Sequence, residues 1–280
     1  MITVGIVSPA RWLDPGALRA ACGALESAGI DTAIPDQNFL REGQFSGNDE
    51  KRAEALHSLY EDERVDAILC ARGGFGSTRI LEYINFDLIS ANPKPLIGYS
   101  DITGLLSTIE SNTKSPVWHG PMLTDIAQGL DKKSFERLLE VIRGGARSLP
   151  DIGLTSLREG NVEGPLVGGN LSVLASLCGT QFQLETTNKI LFIEDIDEPA
   201  YVIDRLILQL KQAGMLDRLN GLILGNFSDI SDTGEFGSGV EEIVLDHCSD
   251  TGFPILTGIP LGHNGPNLAV RLGASFVYAA

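Results

Sequence analysis

A chain of 280 residues with 43% hydrophobic content is long enough to bury one large core or two smaller ones, and two is the expectation. Its formal charge of −16 sets the overall field against a nucleic-acid backbone and against an anionic membrane surface, so neither is expected as a partner. Cys22, Cys70, Cys178 and Cys248 are scattered with no short pairing, which points to reduced thiols. With no basic leader ahead of Ile2 to Val7, a cytoplasmic location is expected.

In chain order, Ile2 to Val7 reads as a buried strand, Pro15 to Ala28 as an amphipathic helix stopped by Gly29, and Thr32 to Ile34 as a second strand. Asp36 to Asn48 is polar loop, and Asp49 to Tyr60 is helical. Val65 to Ala71 is the third strand, running into Arg72-Gly73-Gly74-Phe75-Gly76-Ser77 and a short helix through Ile80. Pro95 to Tyr99 is a strand carrying Ser100 at its carboxyl end, and Asp101 opens a helix with Ile102, Leu105, Leu106 and Ile109 on one face. Pro116 to His119 is a further strand, and Asp131 caps a helix from Lys132 to Arg143. Alternating strand and helix argue for a parallel sheet with helices on both faces, here assigned to residues 1–145.

Residues 146–162 hold Pro150 and several glycines with little periodicity and read as a linker. From 163 to 280 the pattern is mixed α/β. A strand enters a glycine turn at Gly168-Gly169-Asn170 and a helix follows. Ile190 to Ile193 is a buried strand ending at Glu194-Asp195, Tyr201 to Ala213 a helix, and Leu222 to Leu224 a strand. Val240 to Cys248 is a helix, Ile255-Leu256 a short strand, and Leu261 to Asn267 a turn-rich loop. Leu268 to Leu272 and Ser275 to Tyr278 are expected as a terminal hairpin.

Ser100 on a strand-to-helix turn has a nucleophile's placement, with helix N–H groups behind it for developing negative charge. A helix cap fits the same position, and the elbow pattern is incomplete because Ile102 stands where glycine is usual. A serine nucleophile needs a histidine base oriented by a carboxylate. His57 with Glu61 reads as a solvated helix face, since no further metal ligand accompanies the pair. His247 suits a helix C-terminus, and His119 fits either a pocket wall or a structural hydrogen bond. His263 lies in a loop constrained by Gly262, Gly265 and Pro266. Glu194 closes an apolar strand where a carboxylate is costly unless paired, through a base, a helix cap or Arg205; Asp195 and Asp197 compete for its role. Gly73-Gly74-Phe75-Gly76 could cradle a phosphate or donate to an oxyanion, but it meets neither the dinucleotide spacing nor the P-loop pattern.

Taken together, Ala71-Arg72-Gly73-Gly74-Phe75-Gly76, Gly98-Tyr99-Ser100-Asp101-Ile102-Thr103, His119-Gly120-Pro121-Met122, Gly168-Gly169-Asn170-Leu171-Ser172, Phe192-Ile193-Glu194-Asp195 and Pro260-Leu261-Gly262-His263 resemble the LD-carboxypeptidase family of serine peptidases. That family includes the microcin C self-immunity hydrolases. The matches run in the family's order from about residue 4 to residue 272. The resemblance implies a Rossmann-like or flavodoxin-like parallel sheet followed by a mixed α/β domain with a barrel-like sheet. It also implies a triad of Ser100 as nucleophile, His263 as base and Glu194 as orienter, in a cleft between domains, with an oxyanion hole from the N–H groups of Asp101 and Gly74.

Gly73, Phe75, Tyr99, His119 and Asn170 are candidates for the substrate cleft. The implied reaction cuts a murein tetrapeptide between the L-centre of a diamino acid and terminal D-alanine, in the cytoplasm, with no metal or cofactor, by a homodimer. A microcin-type hydrolase of aminoacyl or peptidyl nucleotides and a non-catalytic cleft-binding protein are the alternatives. Asn264 departs from the glycine common after the family's histidine.

Overall fold

The computed structural model describes residues 2–146 and 153–280. Contacts divide the chain into two compact units, residues 1–147 with 268–271, and 148–267 with 272–280.

The first unit begins with β1 (Ile2–Val7), α1 (Pro15–Ser27), β2 (Ile30–Ala33), α2 (Asp49–Glu61) and β3 (Ala67–Cys70). It continues with α3 (Phe86–Ala91), β4 (Leu96–Gly98), α4 (Thr103–Asn112), β5 (Val117–His119), α5 (Leu123–Ala127) and α6 (Lys132–Ile142). Single-turn 3₁₀ segments at Asp36–Phe39 and Ser100–Ile102, and a longer one at Ser77–Tyr83, fill the connections.

Asp14 caps α1 through N–H groups of Gly16 and Ala17, Asn48 caps α2, and Asp131 caps α6, so each helix starts where a side chain can take its unpaired donors. The parallel strands run in the order β2-β1-β3-β4-β5, the flavodoxin-like 2-1-3-4-5 order, whose direction of winding reverses between β1 and β3. Ile6, Leu69, Ile97, Leu25 and Leu138 pack the core of this unit.

The second unit contains β6 (Thr155–Arg158), β7 (Val162–Asn170), α7 (Leu171–Ser176), β8 (Ile190–Ile196), α8 (Ala200–Gln212), β9 (Gly221–Ser228), α9 (Thr233–Phe236), α10 (Val240–His247) and β10 (Ile255–Thr257). β11 (Val270–Arg271) and β12 (Ser275–Tyr278) close the chain. The second sheet is ordered β12-β7-β8-β9-β10-β6, parallel through its four inner strands and antiparallel at both edges, and it curls into a half-barrel. Val167, Leu191, Ile193, Ile207 and Leu222 form its core.

Three expectations are corrected. The terminal hairpin does not form: β11 pairs with β5 in the first sheet, Val270 opposite His119, while β12 pairs with β7 in the second. Gly168-Gly169 is not a turn but part of β7, at φ 131° and 146°. A Cβ at Gly168 would collide with the Phe192 carbonyl, so glycine there lets the backbone of β7 close on β8. Within the stretch read as linker, Thr155–Arg158 is edge strand β6, while residues 147–152 lie outside the described residues.

Candidate active site

In the first unit, the chain leaves β4 at Gly98 and enters the 3₁₀ turn at Ser100, which holds φ 60°. That left-handed conformation is unusual for a residue with a side chain and stores strain. Gly98 accounts for the missing downstream glycine. A Cβ at Gly98 would fall 2.9 Å from Ile102 Cγ2, so the close approach normally shared by two glycines is accommodated by one.

The glycine turn after β3 packs directly against the serine: a Cβ at Gly73 would lie 3.4 Å from both Ser100 Cβ and the Asp101 nitrogen. Asp101 locks this arrangement. Its buried carboxylate accepts from Gly76 N–H at 3.2 Å and Ser77 N–H at 2.9 Å, and its backbone carbonyl accepts from the Ser77 hydroxyl. Burial nevertheless raises its pKa above the usual carboxylate range.

Arg52, fully buried on α2, donates to the carbonyls of Pro9 and Gly76 and pairs with Asp49, tying the loop after β1 to the glycine turn. Sequence reading missed this residue, because an arginine inside an amphipathic helix carries no local mark of burial.

In the second unit, Glu194 and His263 meet. Glu194 Oε2 lies 2.8 Å from His263 Nδ1, with the Glu194 side chain 0% exposed and that of His263 14%. A carboxylate accepting at Nδ1 places the ring proton there and leaves the lone pair on Nε2, the tautomer a general base requires. Burial raises the Glu194 pKa, opposed by the His263 hydrogen bond and, more weakly, by one from Asn170. Glycines make room for the pair. A Cβ at Gly262, held at φ 118°, would fall 2.7 Å from Glu194 Oε2, and one at Gly225 would fall 3.1 Å from Glu194 Cβ. Ser228 Oγ donates to the His263 carbonyl at 2.8 Å and pins its backbone. Asn264 keeps the left-handed position that favours glycine, at φ 51°, and its amide donates to Asp229.

The competitors are placed elsewhere. Asp195 accepts from Asn170 Nδ2 and the N–H groups of Ser172 and Ile196, each at 2.9 Å, and from the Ser172 hydroxyl at 2.6 Å, bonds that tie it to the start of α7. Arg205 lies over the Tyr201 ring at 5.7 Å, so it is not the partner of Glu194. Asp197 turns at φ 62° and donates its N–H to the Ser228 carbonyl. His57 Nε2 accepts from Asn85 N–H at 3.0 Å rather than pointing into solvent, while His247 lies in the last turn of α10, as expected, and also pairs with Asp204 at 2.8 Å.

Of the cleft candidates, Phe75 is exposed and packs on Phe45 with ring centroids 6.0 Å apart. Tyr99 is buried and donates to Asp125 at 2.9 Å. His119 is fully buried, edge-on to Tyr99 at 5.8 Å, which removes it as an open wall. Asn170 is buried too. Its side-chain carbonyl accepts from Val173 N–H at the start of α7, and its amide donates to Asp195.

Models of the LD-carboxypeptidase N-terminal domain and the LD-carboxypeptidase C-terminal domain match residues 4–120 and 163–277. A probable murein peptide carboxypeptidase of Bacillus subtilis is 41% identical over 97% of this chain and 87% of its own. The murein tetrapeptide carboxypeptidase of Pseudomonas aeruginosa is 30% identical over 98% and 92%. The solved muramoyltetrapeptide carboxypeptidase of Oxalobacter formigenes superposes with a TM-score of 0.85 at 26% identity, covering 98% of this chain and 94% of that one. The microcin self-immunity protein MccF shares the fold, with a TM-score of 0.89 at 24% identity over 99% and 92%. Two domain models in tandem over most of the chain, with a relative 41% identical along 97% of it, leave one conclusion: the chain belongs to the LD-carboxypeptidase family.

Proposed function

We propose that this chain is a serine-type LD-carboxypeptidase that releases terminal D-alanine from murein tetrapeptides, with Ser100, His263 and Glu194 as its triad. The observation that carries the residue assignment is the fully buried Glu194 bonded to His263 Nδ1, an arrangement that prepares a neutral imidazole to act as a base. The names of the relatives supply the substrate class.

The reaction runs through an acyl-enzyme. Ser100 Oγ adds to the carbonyl of the L-centre while His263 Nε2 takes its proton, and the oxyanion is received by the N–H groups of Asp101 and Gly74. The imidazolium, stabilised by Glu194, returns the proton to the D-alanine amine as the C–N bond breaks. Water activated by the same histidine then releases the acyl group. Action in the cytoplasm belongs to this reading, and among the described residues no helix is long and apolar enough to cross a membrane. A homodimer rests on the family resemblance, and light scattering reads it.

Mass spectrometry of an L-centre, D-alanine-terminated tetrapeptide beside an aminoacyl sulfamoyl adenosine tests the reading. D-Alanine release, with little turnover of the nucleotide, is expected. Turnover of the nucleotide alone would assign the chain to the microcin branch, and turnover of neither would favour a binding protein.

A further inference from the structure

Two guanidinium groups stand where the winding of the first sheet reverses. Arg11 follows β1 and Arg72 follows β3, and in open α/β sheets ligands bind outside the carboxyl ends of the strands at that point. The two strands are in register there, Val7 opposite Cys70, and Ala71 N–H donates to the Val7 carbonyl at 2.7 Å. The side chain of Arg11 lies across the glycine turn: a Cβ at Gly74 would fall 3.2 Å from Arg11 Cγ and 3.5 Å from its Nη1. Arg72 leads directly into Gly73, which abuts Ser100. Both arginines therefore flank the turn that backs the nucleophile.

Neither guanidinium has an ion-pair or side-chain hydrogen-bond partner among the described residues, although acids outnumber bases 37 to 21 in this chain. Burial and, after it, the neighbouring Arg11 hold the Arg72 pKa below its usual value. Two like charges near one another are costly unless an anion completes the set. Arg52 donates to the Pro9 and Gly76 carbonyls, so the two loops that carry Arg11 and Arg72 are fixed in advance.

We propose that Arg11 and Arg72 form the subsite for the substrate's terminal carboxylate, which makes the enzyme remove a C-terminal residue instead of cutting within a chain. The inference rests on the LD-carboxypeptidase reading. The carboxyl carbon of the leaving residue lies three bonds, about 4 Å, from the scissile carbonyl carbon, so its receptor must stand beside the nucleophile's turn. Guanidinium forks match a carboxylate bidentately.

The test compares a tetrapeptide ending in D-alanine with the same peptide ending in D-alaninamide. Wild type should favour the free acid in kcat/KM by about 100-fold, and Arg11→Gln or Arg72→Gln should shrink that ratio by about 10-fold each, with the Lys variants losing less. An unchanged ratio in both Gln variants overturns the proposal, and because a ratio is read, a partly unfolded variant cannot imitate the effect. Calorimetry with Ser100→Ala protein asks the same question without turnover: tight binding of the acid over the amide, lost on adding Arg72→Gln, supports the subsite. Equal affinity for acid and amide overturns it whatever the activity of the wild type. Discrimination in this second arm with no D-alanine release by wild type would sink the catalytic reading and leave the anion subsite standing.

Discussion

At Ser100 the backbone angle and the chemistry oppose each other. A side chain at φ 60° costs of the order of 1 kcal/mol that glycine would not incur, and the proposed nucleophile requires that side chain. Ser100→Gly and Ser100→Ala should both abolish D-alanine release, while Ser100→Gly melts above Ser100→Ala by roughly 1 kcal/mol of stability; scanning calorimetry beside the peptide assay reads both. Melting in the opposite order would show that the turn carries no strain.

Glu194 shows the same opposition. Its pKa is raised by burial, so the folded state holds its proton more tightly than the unfolded chain does, and this group weakens stability as pH rises from the ordinary carboxylate value through its folded pKa. Glu194→Gln should thus keep or raise the melting temperature at neutral pH while kcat falls by about 10³ to 10⁴, the size of effect seen when an orienting carboxylate is replaced by its amide.

Among elements, the loops after β1, β3 and β4 act as one assembly joined by Arg52 and Asp101. Removing a buried guanidinium leaves the Pro9 and Gly76 carbonyls without this donor and Asp49 with Arg79 alone, so Arg52→Met should destabilise by about 3 kcal/mol, measured by denaturant unfolding. A surface-like loss of a few tenths would contradict the burial described here.

The loop after β10 depends in the same way on Gly262. Gly262→Ala adds a Cβ against Glu194 at a positive φ, and should cost about 1–3 kcal/mol and reduce kcat by moving the carboxylate from His263. A variant with full activity would show that the Glu194–His263 bond is unimportant. The glycine-rich stretches were visible in the sequence, but their reasons were not. Gly168 serves a strand-to-strand approach and Gly262 a side chain 68 positions earlier, and neither neighbour can be read from local spacing.

For the whole molecule, acid has two separate effects. Asp101 and Glu194 have raised pKa values, so lowering pH first neutralises them, which on the proposed triad removes activity while favouring the fold. Asp49, held low first by its Arg79 hydrogen bond, and Asp131, held low by Ser134 against burial, contribute stability above the ordinary carboxylate pKa and lose it only as pH falls through their lowered values. The acid limb of kcat/KM should therefore lie above the acid-unfolding transition followed by circular dichroism. Coincident transitions would mean that activity is lost by unfolding instead.

What the sequence determined by itself was local: the alternation of strand and helix, the cap at Asp131, the strand-to-helix turn at Ser100, and a short set of candidate bases and carboxylates. Such features depend on neighbours within a few residues, where periodicity and capping act. Tertiary structure alone decided that Glu194, not Asp195 or Asp197, meets His263, because that choice depends on which side of β8 each side chain leaves and on a loop 69 residues away. It alone separated β11 from β12 as well. A two-residue strand holds no pattern of its own, and its place beside β5 comes from pairing across about 150 residues, an order that only the assembled sheet supplies.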